Sequence, residues 1–488
     1  MSLGDFLKRS GHYLIGTAAT VLSGLISYPL FTRVLEKSDY GAMGLIMVIL
    51  LGGVAASKLG LQQSVVRMWS LHESEAASLV RTIASTMLVV GVAAAIIIGA
   101  AGLLGRGFLP EKLALPLAIA GLLVPIRAMY SLCQNLLRSR DKSLAYAAVA
   151  LVNQFGGLAG AITAVTVLKL GLPGFYGAFV ITEGLTVLVA MALVTRGLPG
   201  APGKFNSKML REGLHFGVPL IVFEFGVVLL ATSDRFVLEA YWDLETVGLY
   251  TVAFNLAWQL QSLLVLPIEL AALPMVSRLY DKEGRQAAEE FLAKAIRFFW
   301  MIAAPVVAGM WAVRKDLVVL LASDRYVEAA TVAPVLLAGF LVFGARAFLA
   351  AGLFVTKKTL RMGTVAAIGA ILNLGLNLLL VPRYGGEGSA TATLIAQALI
   401  IVTLTVMARK ELSFPIGFFA LGRAMVGATG MALAVMAIPM RHGASSAKEA
   451  ALHLVIRVGA GAIVYAAWVL ATDGEVRGLI GRRLLRRA

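Results

Sequence analysis

Arginine placed inside long apolar runs is the feature of this sequence that carries the most chemistry. Arg127 lies in IRAMYSLCQNLLRSRDKSLAYAA, from Ile126 to Ala148, and Arg346 lies in ARAFLAAGLFVTKKTLRMGTVAA, from Ala345 to Ala367. The same alignment pairs Arg138 with Lys357 and Lys142 with Arg361, and after a one-residue slip Asn153 meets Asn373 on the following helix. A guanidinium at the centre of a hydrocarbon slab costs about 3 kcal/mol on insertion scales, so one carried twice at matching depth is expected to face water or an anion. Each planar fork can donate two parallel hydrogen bonds to phosphate oxygens. Two of them across a pseudo-twofold axis would suit a diphosphate. The blander reading is a structural ion pair from these arginines to Glu183 or Glu224.

Those two acids, Glu224 in HFGVPLIVFEFGVVLL and Glu183 in FVITEGLTVLV, are also set in apolar runs. Either would neutralise an arginine, or take up a proton whose release drives a return stroke, since apolar surroundings favour the neutral acid. Proton or sodium coupling is therefore left open, and no cofactor or metal is expected. Arg33, Arg67, Asp234, Arg235 and Arg278 fall near the ends of apolar runs. Such residues serve as interface anchors or as gates that pair with acids and open when phosphate competes. Arg33, Arg67 and Arg235 are grouped with Arg127 and Arg346 as substrate-binding, and Asp234 and Arg278 with Glu183 and Glu224 as coupling or gating. Arg457 stands outside the repeat. Asn153 and Asn373 are read as interhelical hydrogen bonders.

The elements that must hold these groups are membrane helices. Of 488 residues 59% are hydrophobic and 14% charged, which excludes an ordinary soluble protein. Windows of about 20 apolar residues, the length that crosses a bilayer core, give about fourteen spans. Those of the first half are 11–35, 41–66, 79–104, 113–136, 144–168 and 174–195. The second half gives 213–236, 247–275, 291–313, 329–355, 362–381 and 388–408, followed by 417–439 and 449–471. Basic residues collect at Lys204, Lys208 and Arg211, at Arg278, Lys282 and Arg285, and in the tail from Arg482 to Arg487, which puts both termini in the cytoplasm. The net charge of +16 is then assigned to topology and to anionic membrane lipids, not to nucleic acid. The stretch from Met1 to Ser10 shows no cleavable signal pattern. Cys133, the only cysteine, excludes a disulfide framework and reads as a small apolar residue in a helix.

An even number of spans in each half makes the halves a parallel repeat, an arrangement that leaves a cavity between two bundles and supports rocking between inward-open and outward-open states. The expected domains are an N-terminal lobe (1–196), a cytoplasmic linker (197–212) centred on RGLPGAPGKFNSKMLRE, a C-terminal lobe (213–410), and a C-terminal helix pair with a basic tail (411–488). GAPGK is not a phosphate loop, because Phe205 follows Lys204 and no strand precedes it. Each half ends in a helical hairpin, VNQFGGLAGAITAVTVLKLGLPGFYGAF and ILNLGLNLLLVPRYGGEGSATAT, whose small residues suit close helix packing. HExxH, GxSxG and Gly-rich nucleotide motifs are missing from the sequence, so catalysis has no support.

The phrases FTRVLEKSDYG, SDRFVLEAY and VGLYTVAFNL resemble the polysaccharide-transporter family, and the resemblance extends over nearly the whole chain. These are Wzx-type oligosaccharide-lipid flippases of the superfamily that also contains multidrug and toxic-compound exporters and lipid II flippases. The resemblance implies an all-α, multi-pass alternating-access fold like that of the multidrug exporters. It also implies export of an undecaprenyl-pyrophosphate-linked glycan repeat unit from the inner to the outer leaflet of the cytoplasmic membrane, by a monomer that is not an enzyme. Surface polysaccharides such as O-antigen would be the product, with a polysaccharide polymerase and a chain-length regulator as partners. Arg33, Arg67, Asp234 and Arg235 are the positions that match the family's phrases. The alternatives are a lipid II flippase, a cation-coupled multidrug exporter, for which central arginines have the wrong sign, and an enzyme acting on lipid-linked glycan.

Overall fold

The computed structural model describes residues 22–69, 71–105, 109–200, 203–356, 358–439 and 447–478, without the side chains of 219–220, 222–231, 266, 269–271, 359 and 447. Among the described residues no strand occurs. That follows from the composition, since a backbone surrounded by hydrocarbon must satisfy its own N–H and C=O groups within each segment. The chain divides into two compact units, Met1–Gly248 and Leu249–Ala488.

The first unit holds α1 (22–34), α2 (Lys37–Lys58), α3 (Leu61–Trp69), α4 (Ala76–Leu104), α5 (Glu111–Gly121), α6 (Leu123–Ser139), α7 (Ser143–Ile162), α8 (Gly171–Thr195), α9 (Ser207–Thr232) and α10 (Asp234–Tyr241). The expected span 113–136 is broken between α5 and α6. Pro125 has no N–H to offer the carbonyl of Gly121, and the helix bends there. Leu61, Leu79, Ile83, Met87, Leu132 and Leu136 form a core that seals α3, α4 and α6 together, with Cys133 fully buried among them as a small apolar residue. The stretch 197–212 is fastened to α4: Arg81 Nη1 donates to the Gly203 carbonyl (2.9 Å), and the Asn206 N–H donates to Thr82 Oγ1 (2.9 Å).

The family phrases meet in this unit. A Cβ on Gly41 of α2 would lie 1.9 Å from the carbonyl oxygen of Leu244, and one on Gly248 would lie 2.1 Å from that of Lys37. Each glycine thus faces a carbonyl one turn before the other glycine, a reciprocal crossing that only a residue without a side chain permits.

The second unit holds most of α11 (Leu244–Glu283), then α12 (Arg285–Leu321), α13 (Ala329–Gly344), α14 (Arg346–Leu349), α15 (Ala351–Val355), α16 (Thr359–Ala408), α17 (Phe418–Met436) and α18 (Ala447–Thr472). The single span expected over 329–355 is interrupted at Ala345 and Ala350. The long α16 is the expected hairpin, two helices joined at Gly385, whose φ of 50° needs glycine. Ten helices among the described residues are long and apolar enough to cross a membrane. The expected fourteen is not reached by that count because Leu360–Ala408 is taken as one span, 11–35 is described only from residue 22, and α9 and α11 contain undescribed side chains.

The C-terminal pair, α17 and α18, is clasped to α12 near Asp473, which is 1% exposed. Arg297 Nη2 reaches both oxygens of Asp473 (2.5 and 2.6 Å), Arg423 pairs with the same carboxylate, and Glu475 pairs with Arg297. Burial opposes ionisation of Asp473, but the hydrogen bonds from Arg297 and the Val476 N–H, with the charges of Arg297 and Arg423, hold its pKa below the ordinary 3.8.

Candidate functional site

Arg127 sits one turn into α6, just past the Pro125 break, and points at α8. Its Nε donates to Glu183 Oε2 (2.9 Å) and its Nη2 to Oε1 (2.8 Å), the parallel two-bond geometry in which a guanidinium matches a carboxylate best. Glu183 is 5% exposed, whereas the Arg127 side chain keeps 36% of its surface open. Of the two acids expected as counter-ions, Glu183 takes the role, and the side chain of Glu224 lies outside the described residues. The pair is neutral as a whole, and a neutral pair is far cheaper to hold in hydrocarbon than either charge alone.

Aromatic rings brace the α8 side of this site. Phe175 packs edge-on against Phe31 and Tyr176 with centroids 5.1 Å apart, and Phe179 lies 5.0 Å from it. Tyr130, the next turn of α6, accepts a hydrogen bond from Gln134 Nε2 (2.7 Å). The guanidinium edge that is exposed is therefore presented from a rigid support. Such an arrangement can pass its fork from carboxylate to phosphate without moving the helix.

Arg346, the repeat partner, belongs to the second unit. Its Nη1 donates to the Phe343 carbonyl (3.3 Å), its guanidinium carbon is 4.4 Å from the centre of the Phe343 ring, and it lines a cavity of ≈ 120 Å³ with Leu273, Ala350, Phe354 and Met362. The sequence LTV at Leu185–Val187 recurs at Leu404–Val406 with the same offset that separates Arg127 from Arg346. The position of Glu183 is then taken by Val402, which is 59% exposed. The repeat preserves the cation and not its acid.

The other expected site residues are dispersed. Arg67, exposed on α3, lies with its guanidinium 4.7 Å from the Phe216 ring centre of α9. Arg33 is exposed at the end of α1 and donates to the Pro29 carbonyl (2.5 Å). Asp234 and Arg235 are not surface anchors: they are 3% and 1% exposed and pair with each other at 3.2 Å at the start of α10. Arg278 is exposed within α11, which continues to Glu283. Asn373 donates to Thr393 Oγ1 (3.4 Å) across the α16 hairpin, as expected of an interhelical hydrogen bonder. The buried Asn153 Oδ1 meets no donor among the described residues, so that half of the expectation lacks its bond.

Sequence reasoning missed the polar clusters of the C-terminal pair. Asp316, Arg297, His453 and Asp473 are buried or half-buried ionisable residues on α12, on α18 and just beyond α18. The signal that could have found them is the one used for Arg127, an ionisable residue inside an apolar run. Lys112 was missed too; it pairs with Glu36, bonds Ser38 Oγ (2.8 Å) and approaches Asp39 (3.7 Å). Among the described residues no cluster of His, Cys, Asp and Glu could hold a metal ion.

No curated protein matches the sequence. Among solved structures, the chain is similar to the lipid II flippase MurJ in an inward closed conformation, at 15% identity and a TM-score of 0.79, over 96% of this chain and 99% of that one. It is also similar to an inward-facing multidrug resistance MATE family transporter of the MOP superfamily, at 15% identity and a TM-score of 0.66, over 82% of this chain and 94% of the other. A MOP superfamily transporter from Pyrococcus furiosus, described as having a binding pocket of reverse polarity, gives 14% identity and a TM-score of 0.59 over 84% and 95%. These relatives are transporters and flippases, not enzymes, and the likeness establishes the expected all-helical MATE-like fold. The family model for polysaccharide biosynthesis proteins matches residues 30–331, more than half of the chain, and the protein belongs to that family.

Proposed function

We propose that the protein is a flippase that carries undecaprenyl-pyrophosphate-linked oligosaccharide repeat units from the inner to the outer leaflet of the cytoplasmic membrane by alternating access. The observation that carries this reading is the Arg127–Glu183 pair, a two-pronged cation inside an apolar helix layer, partly exposed and held by one acid among the described residues. A lipid pyrophosphate cannot cross hydrocarbon unaided, because its charges and sugar hydroxyls would lose water without gaining partners. Arg127 offers the diphosphate what Glu183 now receives, and Arg346 is assigned substrate contact as the matching fork of the second unit. The polyprenyl tail stays in lipid throughout.

Displacement of Glu183 by phosphate would leave a buried carboxylate that must bind a proton or cation, and this is the coupling step assigned to it. Outward movement of negative charge is also favoured by about 2.3 kcal/mol per charge per 100 mV in a cell that is negative inside. Arg33 and Arg67 are assigned further contacts with the cargo, as is Arg235 once its buried pair with Asp234 opens, with Asp234, Arg278 and Glu224 in gating or coupling. In this reading both termini would lie in the cytoplasm, and a polymerase and chain-length regulator would take over the exported unit.

The test is leaflet exchange of labelled lipid in proteoliposomes. Wild-type protein is expected to move the lipid without changing its chemistry, and Arg127→Ala or Arg346→Ala to stop it. Normal exchange by the double variant would refute the assignment, and a chemically altered lipid would mean an enzyme. A second reading, lipid II as cargo, is favoured by the likeness to MurJ over nearly the full length of both chains. Parallel assays with lipid II and with a lipid-linked oligosaccharide separate the two by which one is moved.

A further inference from the structure

Between its two arginines α6 carries Tyr130, Ser131, Gln134 and Asn135, at the spacing that places side chains on one face of a helix. Arg127 and Arg138 fall on the same face, which is half-buried to exposed apart from Gln134. The opposite face, Ala128, Met129, Leu132, Cys133, Leu136 and Leu137, is sealed in the core of the first unit. Polar side chains on a membrane helix are commonly explained by bonds to a neighbouring helix. Here the bonds stay within α6: Gln134 Nε2 donates to Tyr130 Oη (2.7 Å) and Asn135 Nδ2 to the Ser131 carbonyl (3.0 Å), each one turn back. Gln134 is 8% exposed, and its Oε1 meets no donor among the described residues. A buried acceptor left open costs stability, so its retention calls for a donor that arrives from outside.

We propose that this stripe is a glycan subsite, in which Tyr130, Ser131, Gln134 and Asn135 hydrogen-bond the sugars that adjoin a diphosphate held at Arg127. The assignment rests on the flippase reading above and adds the part of the cargo that the arginine does not explain. Hydroxyls and amides carry donors and acceptors together, as sugar hydroxyls do, and they form such bonds without the cost of burying a charge. Gln134 is the clearest case: one amide N–H is spent on Tyr130, and its carbonyl is open to a sugar O–H. Asn135 lies about 12 Å along the helix axis from Arg127, so the stripe runs past the sugar attached directly to the diphosphate. The subsite binds only, and no covalent bond is made or broken there.

The second unit argues that the helix itself does not demand these groups. With the offset that aligns Arg127 with Arg346, the four positions become Leu349, Ala350, Leu353 and Phe354. The first three of these are buried. The repeat thus keeps the cation and replaces each hydroxyl and amide of the stripe with an apolar side chain. Polarity on α6 belongs to a task of the first unit alone, and the sugar contacts it makes are one-sided.

The test compares equilibrium binding, to protein in nanodiscs, of two lipids that share tail and diphosphate. One is the glycosylated lipid, oligosaccharide-linked or lipid II, that wild-type protein moves; the other is polyprenyl pyrophosphate without sugar. A variant combining Tyr130→Phe, Ser131→Ala, Gln134→Met and Asn135→Leu removes the polar atoms at nearly constant volume. It should bind the glycosylated lipid about 10-fold more weakly and the bare lipid as wild type does, which also shows that it is folded. Gln134→Met alone should weaken the same lipid by a smaller factor and leave the other unchanged. Equal weakening of both lipids in the single and the combined variant overturns the subsite, and so does unchanged binding of both. Wild-type protein that binds the bare lipid as tightly as the glycosylated one overturns it too. Wild-type protein that binds neither lipid refutes the flippase reading itself, and the subsite falls with it.

Discussion

The Arg127–Glu183 pair of the first unit and the Asp473 cluster of the second use the same groups in opposite proportion. Glu183 has one described cation, held by two bonds of 2.8 and 2.9 Å. Asp473 has two, Arg297 and Arg423, and accepts the N–H groups of Glu475 and Val476 as well (both 3.1 Å). A carboxylate with a single partner can exchange it for a phosphate in one step. A carboxylate with several keeps its place when any one leaves. The first arrangement suits a group that must switch partners during a cycle, and the second suits a permanent clasp on the C-terminal helices.

The sharpest way to break this contrast is to remove the described partner of Glu183. Arg127→Ala strands Glu183, and because Arg127 is partly exposed the cost should fall near the low end for a broken buried pair, about 3 kcal/mol. Lipid flipping should fall by roughly 100-fold, the factor that corresponds to losing both bonds to the cargo. Arg127→Lys should restore folding and only part of the transport, since an ammonium cannot donate in parallel. Adding Glu183→Gln to Arg127→Ala should recover thermal stability but not flipping. Recovery of both in the double variant would mean that the pair is structural and nothing more.

Much of this was legible in the sequence, and the limits have physical causes. Helix-forming apolar runs and the repeated arginine follow directly from residue type, and Glu183 is one of the two acids expected as counter-ions because both fall deep in apolar segments; which arginine it serves is a tertiary fact. The breaks before Arg127 and around Arg346 were not read, since Pro125 interrupts one hydrogen bond in a run that is otherwise helical in character. Asp234 and Arg235 look like helix-end anchors in one dimension; their burial is a tertiary fact. The Asp316 and Asp473 clusters join residues more than a hundred positions apart, and no spacing rule reaches that far.

A smaller effect is expected at the redundant cluster. Arg297→Ala and Arg423→Ala should each cost less than about 1 kcal/mol, because the other arginine still holds Asp473. The double variant should cost more than the two single changes together, by about 1 kcal/mol or more, as expected for partners of one group. Thermal shift of the purified protein measures all three. Strict additivity would sink the idea of redundancy, and a loss in Arg297→Ala as large as that in Arg127→Ala would erase the contrast between the units.

The smallest expected effect is a matter of pH. With its pKa held below 3.8, Asp473 stabilises the clasp at every pH above the ordinary carboxyl range, and that contribution is lost only as the pH falls through the depressed value. Hydrogen exchange at the Thr472 end of α18 should therefore rise only in acid below 3.8. Exchange there that already rises within or above the ordinary carboxyl range would mean that the clasp does not depend on the charge that Arg297 and Arg423 hold on Asp473.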